Sequence, residues 1–278
     1  MAEPWVPGAT TRPVVLLGDP VDHSLSPLLH NTAFRALDLD FVYLALPVAG
    51  ERFADVVASL GAVGCPGANV TVPHKLRAHD ACDELTEVAG ATGAVNTLWW
   101  DDGVLHGDNT DVSGLVRVLR RAGGVGEGRE AVVLGTGGAA RAAVVALAEV
   151  GGSVTVIGRR RDAAAEVARL AGGAAAGHLQ VDHDDVTEVV ASAEVLLNAT
   201  PLGMHGEELP AAFMQPRAEQ VVHDLVYVDG TTPWVAAALA AGATAVDGRA
   251  LLAAQAEDAF VRWTDRHPPD GMMEGLLA

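Results

Sequence analysis

The sequence predicts an α/β protein with two lobes, the second of which begins near residue 130. Short apolar runs typical of strands alternate with helix-length segments along almost the whole chain, which is the pattern of parallel βαβ units. A polar, glycine-rich stretch at 123–130, GGVGEGRE, separates two such series. A last helical segment at 249–265 has no strand after it and could pack on either lobe.

The composition favours a folded protein with a sizeable core and argues against several classes of partner. The 278 residues are 50% hydrophobic and 19% charged, and the formal net charge is −18. Because nucleic acids and anionic membranes attract basic surfaces, we expect this acidic chain to bind neither. We see no signal-peptide pattern and no apolar run of membrane-spanning length. Its two cysteines, Cys65 and Cys82, lack metal-type neighbours, so we expect a cytoplasmic protein without disulfides or a metal site.

The strand-like runs fall into two groups of five. In order, the first group is PVVLLGD, FVYLALPV, GANVTV, AVNTLWW and VLHGDN, with helical patterns such as SPLLHNTAFRAL and DELTEVAGA between them. The second group is AVVLG, SVTVIG, VLLNAT, VVHDLVY and ATAVDG. Because helix-length segments separate many of these runs, we expect parallel sheets in both lobes.

Polar side chains cluster where the strands of the first lobe end. In GANVTVPHK, at 67–75, an alternating strand pattern ends at Pro73, and Lys75 follows. The polar residues at or near strand ends are Asn69, Thr71, Lys75, Asn96, Thr97, Asn109, Thr110 and Asp111. Ligands of open α/β sheets bind outside the carboxyl ends of the strands, which favours a binding site here. The alternative for Lys75 and Asp111 is an ordinary salt bridge.

A second polar segment, GDPVDHSLSP at 18–27, follows the first strand. Ser26 before Pro27 is typical of a helix N-cap with proline at the first helical position. Ser24 lies two residues earlier, and two hydroxyls at a helix N-terminus could hold a carboxylate. Taken alone, the segment is explained equally well by simple capping.

The clearest local motif is a glycine-rich turn between a strand and a helix. AVVLGTGGAARAAVVALAEVG, at 131–151, contains G-x-G-x-x-A, formed by Gly135, Gly137 and Ala140. Glycines permit a tight turn and let a pyrophosphate approach the backbone, where the helix N-terminus offers free N–H groups. The motif favours dinucleotide binding, and the alternative is a tight βα turn without a ligand.

The end of the next strand favours NADP(H) over NAD(H). NAD-binding units carry Asp or Glu about 20 residues after the glycines, where the carboxylate binds the ribose 2′-hydroxyl. Here Gly158, Arg159, Arg160 and Arg161 stand at that position. A planar guanidinium suits a phosphate, although Arg160 and Arg161 could instead begin a solvated helix.

Eight motifs in a fixed order give the chain a resemblance to the shikimate dehydrogenase family. They are HSLSP, GANVTVPHK, GAVNT, GDNTD, GTGGAAR, NATPLGM, DLVY and DGRALLAAQ, and the resemblance spans residues 14 to about 263. It implies a substrate-binding catalytic domain at 1–111, completed by a C-terminal helical segment that returns to it at 249–278. It also implies a Rossmann-type NADP-binding domain at 112–248.

The resemblance also implies roles for individual residues. The lysine after N-V-T-V-P, Lys75, is the implied catalytic residue, and the aspartate that ends D-N-T-D, Asp111, is its partner. The residues implied to bind substrate are Ser24 and Ser26 at its carboxylate, Asn96 and Asp111 at its ring hydroxyls, and Thr71, Tyr227 and Gln255. The residues implied to bind the cofactor are Gly135, Thr136, Gly137, Gly138, Ala139, Arg159, Arg160 and Gly248.

Two positions depart from the pattern of the family. The family usually has N-R-T or N-R-S where this chain has Gly158-Arg159-Arg160. The second arginine could strengthen a contact with the 2′-phosphate, and the lost asparagine leaves the adenosine contacts undefined. The family also usually has glycine after D-N-T-D, whereas Val112 is β-branched and restricts the backbone beside Asp111.

The implied activity is reversible hydride transfer between NADPH and the ring ketone of 3-dehydroshikimate, a step of aromatic amino-acid and chorismate biosynthesis. Lys75 would supply the proton and Asp111 would orient its ammonium. One alternative is a quinate/shikimate dehydrogenase of broader specificity, and another is a dinucleotide-binding regulator without turnover. The expected partner is the small-molecule substrate, and the expected assembly is a monomer or a homodimer.

Overall fold

The computed structural model describes residues 6–123 and 126–278. The chain divides into two compact units, one formed by Met1–Thr110 with Gln255–Ala278 and the other by Asp111–Ala254. Each unit contains one six-stranded sheet and several helices. The predicted α/β class with two α/β parts is therefore confirmed. No helix within the described ranges is long and apolar enough to cross a membrane.

Eleven α-helices are found in the described part of the chain. In chain order they are α1 (Ser26–Ala36), α2 (Phe53–Ala62), α3 (Lys75–Ala81), α4 (Glu87–Thr92), α5 (Thr110–Ala122), α6 (Gly138–Glu149), α7 (Arg161–Ala168), α8 (Val186–Ser192), α9 (Pro233–Ala240), α10 (Gly248–Thr264) and α11 (Met272–Gly275). The unit boundaries fall within α5 and α10, so each of these helices contributes residues to both units.

The first unit is built on a mixed sheet. Its strands are β1 (Arg12–Gly18), β2 (Phe41–Pro47), β3 (Gly67–Val70), β4 (Glu84–Leu85), β5 (Thr97–Asp101) and β6 (Val104–Asp108). They lie in the order β2-β1-β3-β5-β6-β4. β1 pairs in parallel with β2 and β3. Its run from Val14 to Leu17 is buried, which is typical of an inner parallel strand covered on both faces.

The expectation of parallel strands throughout this sheet is wrong for β5. β5 is antiparallel to both β3 and β6. Asp102 and Gly103, with φ angles of 46° and 82°, form the two-residue turn between β5 and β6. A parallel pair needs a crossover of about a dozen residues or more. So short a connection therefore requires an antiparallel hairpin.

The last helical segment packs on the first unit, as the resemblance implied. The indole Nε1 of Trp263, in α10, donates a hydrogen bond to the carbonyl of Leu98 in β5 at 3.0 Å. Phe260 stacks with the buried ring of His30 in α1. A Cβ added at Gly67 would lie 2.1 Å from the Trp263 nitrogen, so the glycine lets α10 approach β3 closely.

The second unit is built on an all-parallel sheet. Its strands are β7 (Glu130–Leu134), β8 (Ser153–Gly158), β9 (Ala175–Gln180), β10 (Val195–Asn198), β11 (Val221–Asp224) and β12 (Thr244–Val246). They lie in the order β12-β11-β10-β7-β8-β9, and every pairing is parallel. The chain proceeds from β7 to one edge and then from β10 to the other, which is the doubly wound, Rossmann-type order. The carboxyl end of β7 is the switch point at which such sheets bind ligands.

Candidate active site

Lys75 is positioned by the segment that follows β3. The strand ends at Val70, and α3 begins at Lys75 itself. The Lys75 carbonyl accepts a hydrogen bond from the backbone N–H of Val95 at 2.9 Å. This bond joins the first turn of α3 to the residue before Asn96. Lys75 and Asn96, which the resemblance places in one site, are thus on segments joined within the first unit.

Asn96 reaches this site by a route that differs from the expected one. The sequence placed Asn96 at the carboxyl end of a strand, but β5 begins only at Thr97, so Asn96 precedes it. Because β5 runs antiparallel to β3, its start lies at the carboxyl end of β3, where Thr97 pairs with Asn69. The antiparallel hairpin therefore brings Asn96 to the edge of the sheet at which β1 and β3 end.

Asn96 is the centre of a buried group of hydrogen bonds. Its Oδ1 accepts from the backbone N–H of Thr110 at 2.8 Å and from the hydroxyl of Thr97 at 2.9 Å. Its Nδ2 donates to the Thr110 hydroxyl at 3.0 Å and contacts Oε1 of Gln255 at 3.5 Å. The structure thus brings together Asn96 and Gln255, two predicted substrate ligands that are far apart in sequence.

Tyr43 and Asn69 extend this group of hydrogen bonds. The sequence alone had assigned no role to Tyr43. The Tyr43 hydroxyl donates to Oδ1 of Asn69 at 2.7 Å. The Asn69 amide donates in turn to the Asn96 carbonyl at 3.1 Å and to the Thr97 hydroxyl at 3.2 Å. All four residues are buried. A tyrosine in an otherwise apolar strand, FVYLALP, is the signal that could have indicated a buried hydroxyl.

Thr71 lies where β1 and β3 end side by side. Its backbone N–H donates to the Leu17 carbonyl at 2.9 Å. A Cβ added at Gly18 would come within 2.3 Å of the Thr71 side chain, so glycine permits the close approach of the two strand ends. The predicted site residue Thr71 therefore lies next to the loop that leads to Ser24 and Ser26.

The two serines lie at the start of α1, but Ser26 is not its N-cap as predicted. Leu25 occupies the N-cap position without a capping side chain, and Ser26 is the first helical residue. The Ser24 hydroxyl instead accepts a hydrogen bond from the Ser26 N–H at 3.2 Å. The reason is that Leu25 already has helical φ and ψ angles, so the end of the helix extends one residue further towards Ser24. Both hydroxyls still lie at one helix N-terminus.

In the second unit, the glycine turn joins β7 directly to α6. The turn consists of Gly135, Thr136 and Gly137, and α6 begins at Gly138 and Ala139. Gly135 has φ of +125°, and an added Cβ would lie 2.9 Å from the Ala199 carbonyl oxygen. Gly137 occupies the N-cap position without a side chain. The N–H groups of the first turn are thus open to an anionic ligand, as a pyrophosphate site requires.

Arg159 and Arg160 follow β8 directly, and both are exposed. Arg160 occupies the N-cap position of α7, and Arg161 begins the helix. Within residues 6–123 and 126–278, neither Arg159 nor Arg160 forms an ion pair. Two guanidiniums at this strand end can bind an anion, whereas a carboxylate there would bind a ribose hydroxyl.

Tyr227 and Gly248 lie close together after β11. The backbone N–H of Gly248, the first residue of α10, donates to the Val226 carbonyl at 3.0 Å. A Cβ added at Gly248 would lie 2.3 Å from the Leu225 carbonyl oxygen, so glycine is required for this approach. Tyr227 is half-buried beside it.

A buried polar group supports the ends of β10 and β11. Asp224 accepts hydrogen bonds from Nδ2 of Asn198 at 2.9 Å and from the Thr232 hydroxyl at 2.7 Å. Burial raises the pKa of Asp224, and these two hydrogen bonds oppose that shift. The motifs NATPLGM and DLVY, which contain Asn198 and Asp224, are thus connected by structural contacts.

Asp111 is the second residue of α5 and is buried, as is Val112 beside it. Lys75 belongs to the first unit and Asp111 to the second. In the described part of the chain, no three His, Cys, Asp or Glu side chains form a group that could hold a metal ion.

Comparisons with known proteins agree on one family. The protein-family model that describes the shikimate dehydrogenase substrate binding domain matches residues 16–98. The shikimate dehydrogenase (NADP(+)) of Salinibacter ruber is 44% identical over 281 residues, which cover 97% of this chain and 98% of that protein.

Two solved structures are similar over nearly the whole chain. Shikimate 5-dehydrogenase from Thermus thermophilus, in complex with NADP(H) and shikimate, is 34% identical with a TM-score of 0.82, covering 95% of this chain and 97% of that one. Quinate dehydrogenase from Corynebacterium glutamicum, in complex with NAD, is 28% identical with a TM-score of 0.84, covering 96% and 99%. The chain contains the eight motifs in order, and it is 44% identical to one relative over 97% of the length of the chain. It therefore belongs to the shikimate dehydrogenase family.

Proposed function

We propose that this chain, an NADP-dependent shikimate dehydrogenase, reduces 3-dehydroshikimate to shikimate with Lys75 as its acid–base group and Asp111 as the partner of Lys75. The observation that carries the proposal is the buried amide group of Asn69, Asn96 and Gln255, joined through Val95 to the first residue of α3. Such a group gives a polyhydroxylated ring several fixed donors and acceptors.

The chemistry assigned to the protein is positioning and proton transfer. The nicotinamide cofactor supplies the hydride. The Lys75 ammonium donates a proton to the carbonyl oxygen as that oxygen becomes negative, and it accepts the proton in the reverse direction. Asp111 orients the ammonium, and the proximity of these two residues is part of the proposal. Ser24 and Ser26 hold the substrate carboxylate at the N-terminus of α1.

The remaining predicted ligands complete the proposal. Residues 1–111 with 249–278 form the substrate-binding domain, to which Thr71 and Asn96 contribute, and residues 112–248 form the NADP-binding domain. The turn from Gly135 to Ala139 would hold the pyrophosphate of the cofactor, and Arg159 and Arg160 would hold its 2′-phosphate. Gly248 and Tyr227 contact the cofactor and the substrate, respectively.

The decisive variant is Lys75→Ala. We expect kcat for NADPH oxidation with 3-dehydroshikimate to fall about 10²–10⁴-fold, the range for loss of an acid–base group. Arg77→Ala, an exposed position on the same helix, is the matched control and should keep normal turnover. Near-normal kcat in Lys75→Ala would contradict the assignment.

Quinate is a second candidate substrate, and the similarity to the quinate dehydrogenase of Corynebacterium glutamicum is the observation that favours it. Side-by-side kcat/KM values for shikimate and quinate, with NADP⁺ and with NAD⁺, test this. We expect the highest value for shikimate with NADP⁺. A cytoplasmic location and a monomeric or homodimeric assembly stay predictions, and sedimentation equilibrium distinguishes the two assemblies.

A further inference from the structure

Gly158 is a glycine for a steric reason. Its φ angle lies outside the positive range that favours glycine. A Cβ added there would lie 2.6 Å from Cγ2 of Thr136, whereas its next neighbours, at 3.5 and 3.6 Å, are at ordinary contact distance. The side chain of Thr136 is therefore what excludes a side chain at position 158.

The pairing of β7 with β8 brings Thr136 and Gly158 into contact. β7 and β8 are parallel neighbours, and the N–H of Gly135 donates to the Ile157 carbonyl at 2.9 Å. This bond holds Thr136, the residue after Gly135, next to Gly158, the residue after Ile157. Gly158 is buried and Thr136 is half-buried. The threonine methyl group thus occupies the space that a side chain at position 158 would otherwise fill.

The contact also constrains the threonine hydroxyl. A β-branched side chain has few χ1 rotamers, and in the observed rotamer the methyl group of Thr136 lies against Gly158. The hydroxyl on the same Cβ must therefore point elsewhere. It makes no hydrogen bond to another residue in the ranges that the structure describes. The glycine turn thus carries, next to Gly158, a hydroxyl whose oxygen is held by the Thr136 rotamer and whose proton can rotate towards a ligand.

We propose that Thr136 determines specificity for the 2′-phosphate of NADPH, and that Gly158 makes this role possible. The end of the second strand is where dinucleotide-binding sheets meet the ribose 2′ position. The Thr136 hydroxyl donates a hydrogen bond to a phosphate oxygen there, while Arg159 and Arg160 supply the charge. This inference rests on the proposed function and names residues that act together at its cofactor site.

The first test measures Kd by calorimetry, without substrate, for NADPH and for NADH. Thr136→Val keeps a branched side chain and loses the hydroxyl. We expect its Kd for NADPH to rise about tenfold, the cost of one hydrogen bond to a charged group, and its Kd for NADH to stay the same. An unchanged Kd for NADPH, or equal weakening for both nucleotides, would overturn the proposal.

The second test probes the steric pair. Gly158→Ala should weaken NADPH binding roughly tenfold because its Cβ displaces the threonine. Adding Thr136→Ser to Gly158→Ala removes the obstructing methyl group, keeps the hydroxyl and should restore most of the affinity. Gly177→Ala in β9 is the control, since its Cβ would lie 3.5 Å from its nearest neighbour, Thr155.

The outcomes separate the two proposals. Wild-type protein that binds neither nucleotide would overturn the proposed function. Wild-type protein that binds NADPH, together with a Gly158→Ala variant of unchanged affinity, would overturn only the pairing of Thr136 with Gly158. Far-ultraviolet circular dichroism confirms that each variant is folded, and Thr136→Val, which adds no atom at position 158, tests the hydroxyl independently.

Discussion

The strand ends at the two predicted binding sites, one in each unit, carry different kinds of polar group. In the first unit, the carboxyl ends of β1 and β3 carry buried side chains that hydrogen-bond to one another, with Asn96 at their centre. In the second unit, the carboxyl ends of β7 and β8 carry glycines and exposed arginines, whereas those of β10 and β11 carry the buried pair of Asn198 and Asp224. The predicted site of the first unit thus presents side-chain amides and hydroxyls, and that of the second, at β7 and β8, presents backbone N–H groups and exposed guanidiniums.

This difference indicates which substitutions should damage each of the two predicted sites. A site made of buried side chains depends on each hydrogen-bond partner, because an unpaired buried polar group costs free energy. A site made of backbone N–H groups depends on the absence of side chains, because the ligand and the chain must approach closely. Variants of each kind should therefore weaken different properties of the protein.

The largest effect is expected at the glycine turn. Gly135→Ala places a side chain at φ of +125° and 2.9 Å from the Ala199 carbonyl oxygen. Strain and overlap together should lower the free energy of unfolding by about 2–4 kcal/mol. Gly137→Ala is the matched control, since its φ is −87° and its Cβ would meet nothing within 4 Å. Urea denaturation that gives equal losses for the two variants would contradict this account of the turn.

A medium effect is expected from pH, because each unit contains a buried neutral histidine. Burial lowers the pKa of His30 in the first unit to about 3 and that of His223 in the second to about 4. Below pH 6.5 the unfolded chain binds protons that these folded histidines do not, so stability is complete above pH 6.5 and falls as the pH falls towards 3–4. At about pH 5, each histidine should cost about 2 kcal/mol.

His30→Phe tests the contribution of the first unit. The imidazole stacks on the Tyr43 ring with centroids 4.4 Å apart, and phenylalanine can keep that packing without binding a proton. The free energy of unfolding of His30→Phe should therefore fall less steeply between pH 6.5 and 4 than that of the wild type. Parallel curves for the two proteins would show that His30 is not protonated on unfolding.

The smallest effect is expected for Tyr43→Phe. The variant removes the hydroxyl that donates to Asn69 at 2.7 Å and leaves a buried amide oxygen with one donor fewer. The free energy of unfolding should fall by about 1 kcal/mol. KM for shikimate should rise severalfold because Asn69 supports Asn96, while Kd for NADPH stays unchanged. A larger change in NADPH binding than in KM for shikimate would reverse the assignment of the two units.

Much of the second unit could be predicted from sequence because its information is local. The glycine turn lies between a strand and a helix that are adjacent in the chain, so Gly135 and Gly137 could be placed from a window of 21 residues at 131–151. The arginines after β8 were found in the same way. What the sequence did not indicate was the contact of Thr136 with Gly158, which depends on the side-by-side pairing of β7 and β8.

The first unit was harder to predict because its contacts join distant segments. Tyr43 and Asn69 lie in β2 and β3, which are separated by β1 in the sheet, so no sequence spacing indicates their hydrogen bond. The antiparallel direction of β5 did have a local signal in Asp102-Gly103, a dipeptide typical of tight hairpin turns. The alternation of strands and helices elsewhere outweighed that signal.

The discontinuity of the first unit has a consequence for the order of events during translation. Gln255–Ala278 leaves the ribosome after every residue of the second unit, although it belongs to the first. Until then, the face of the nascent polypeptide that Phe260 and Trp263 later cover, around His30, is open to solvent. The amino-terminal part of the chain is therefore the part that must be protected from aggregation longest, while the second unit has its complete sequence first.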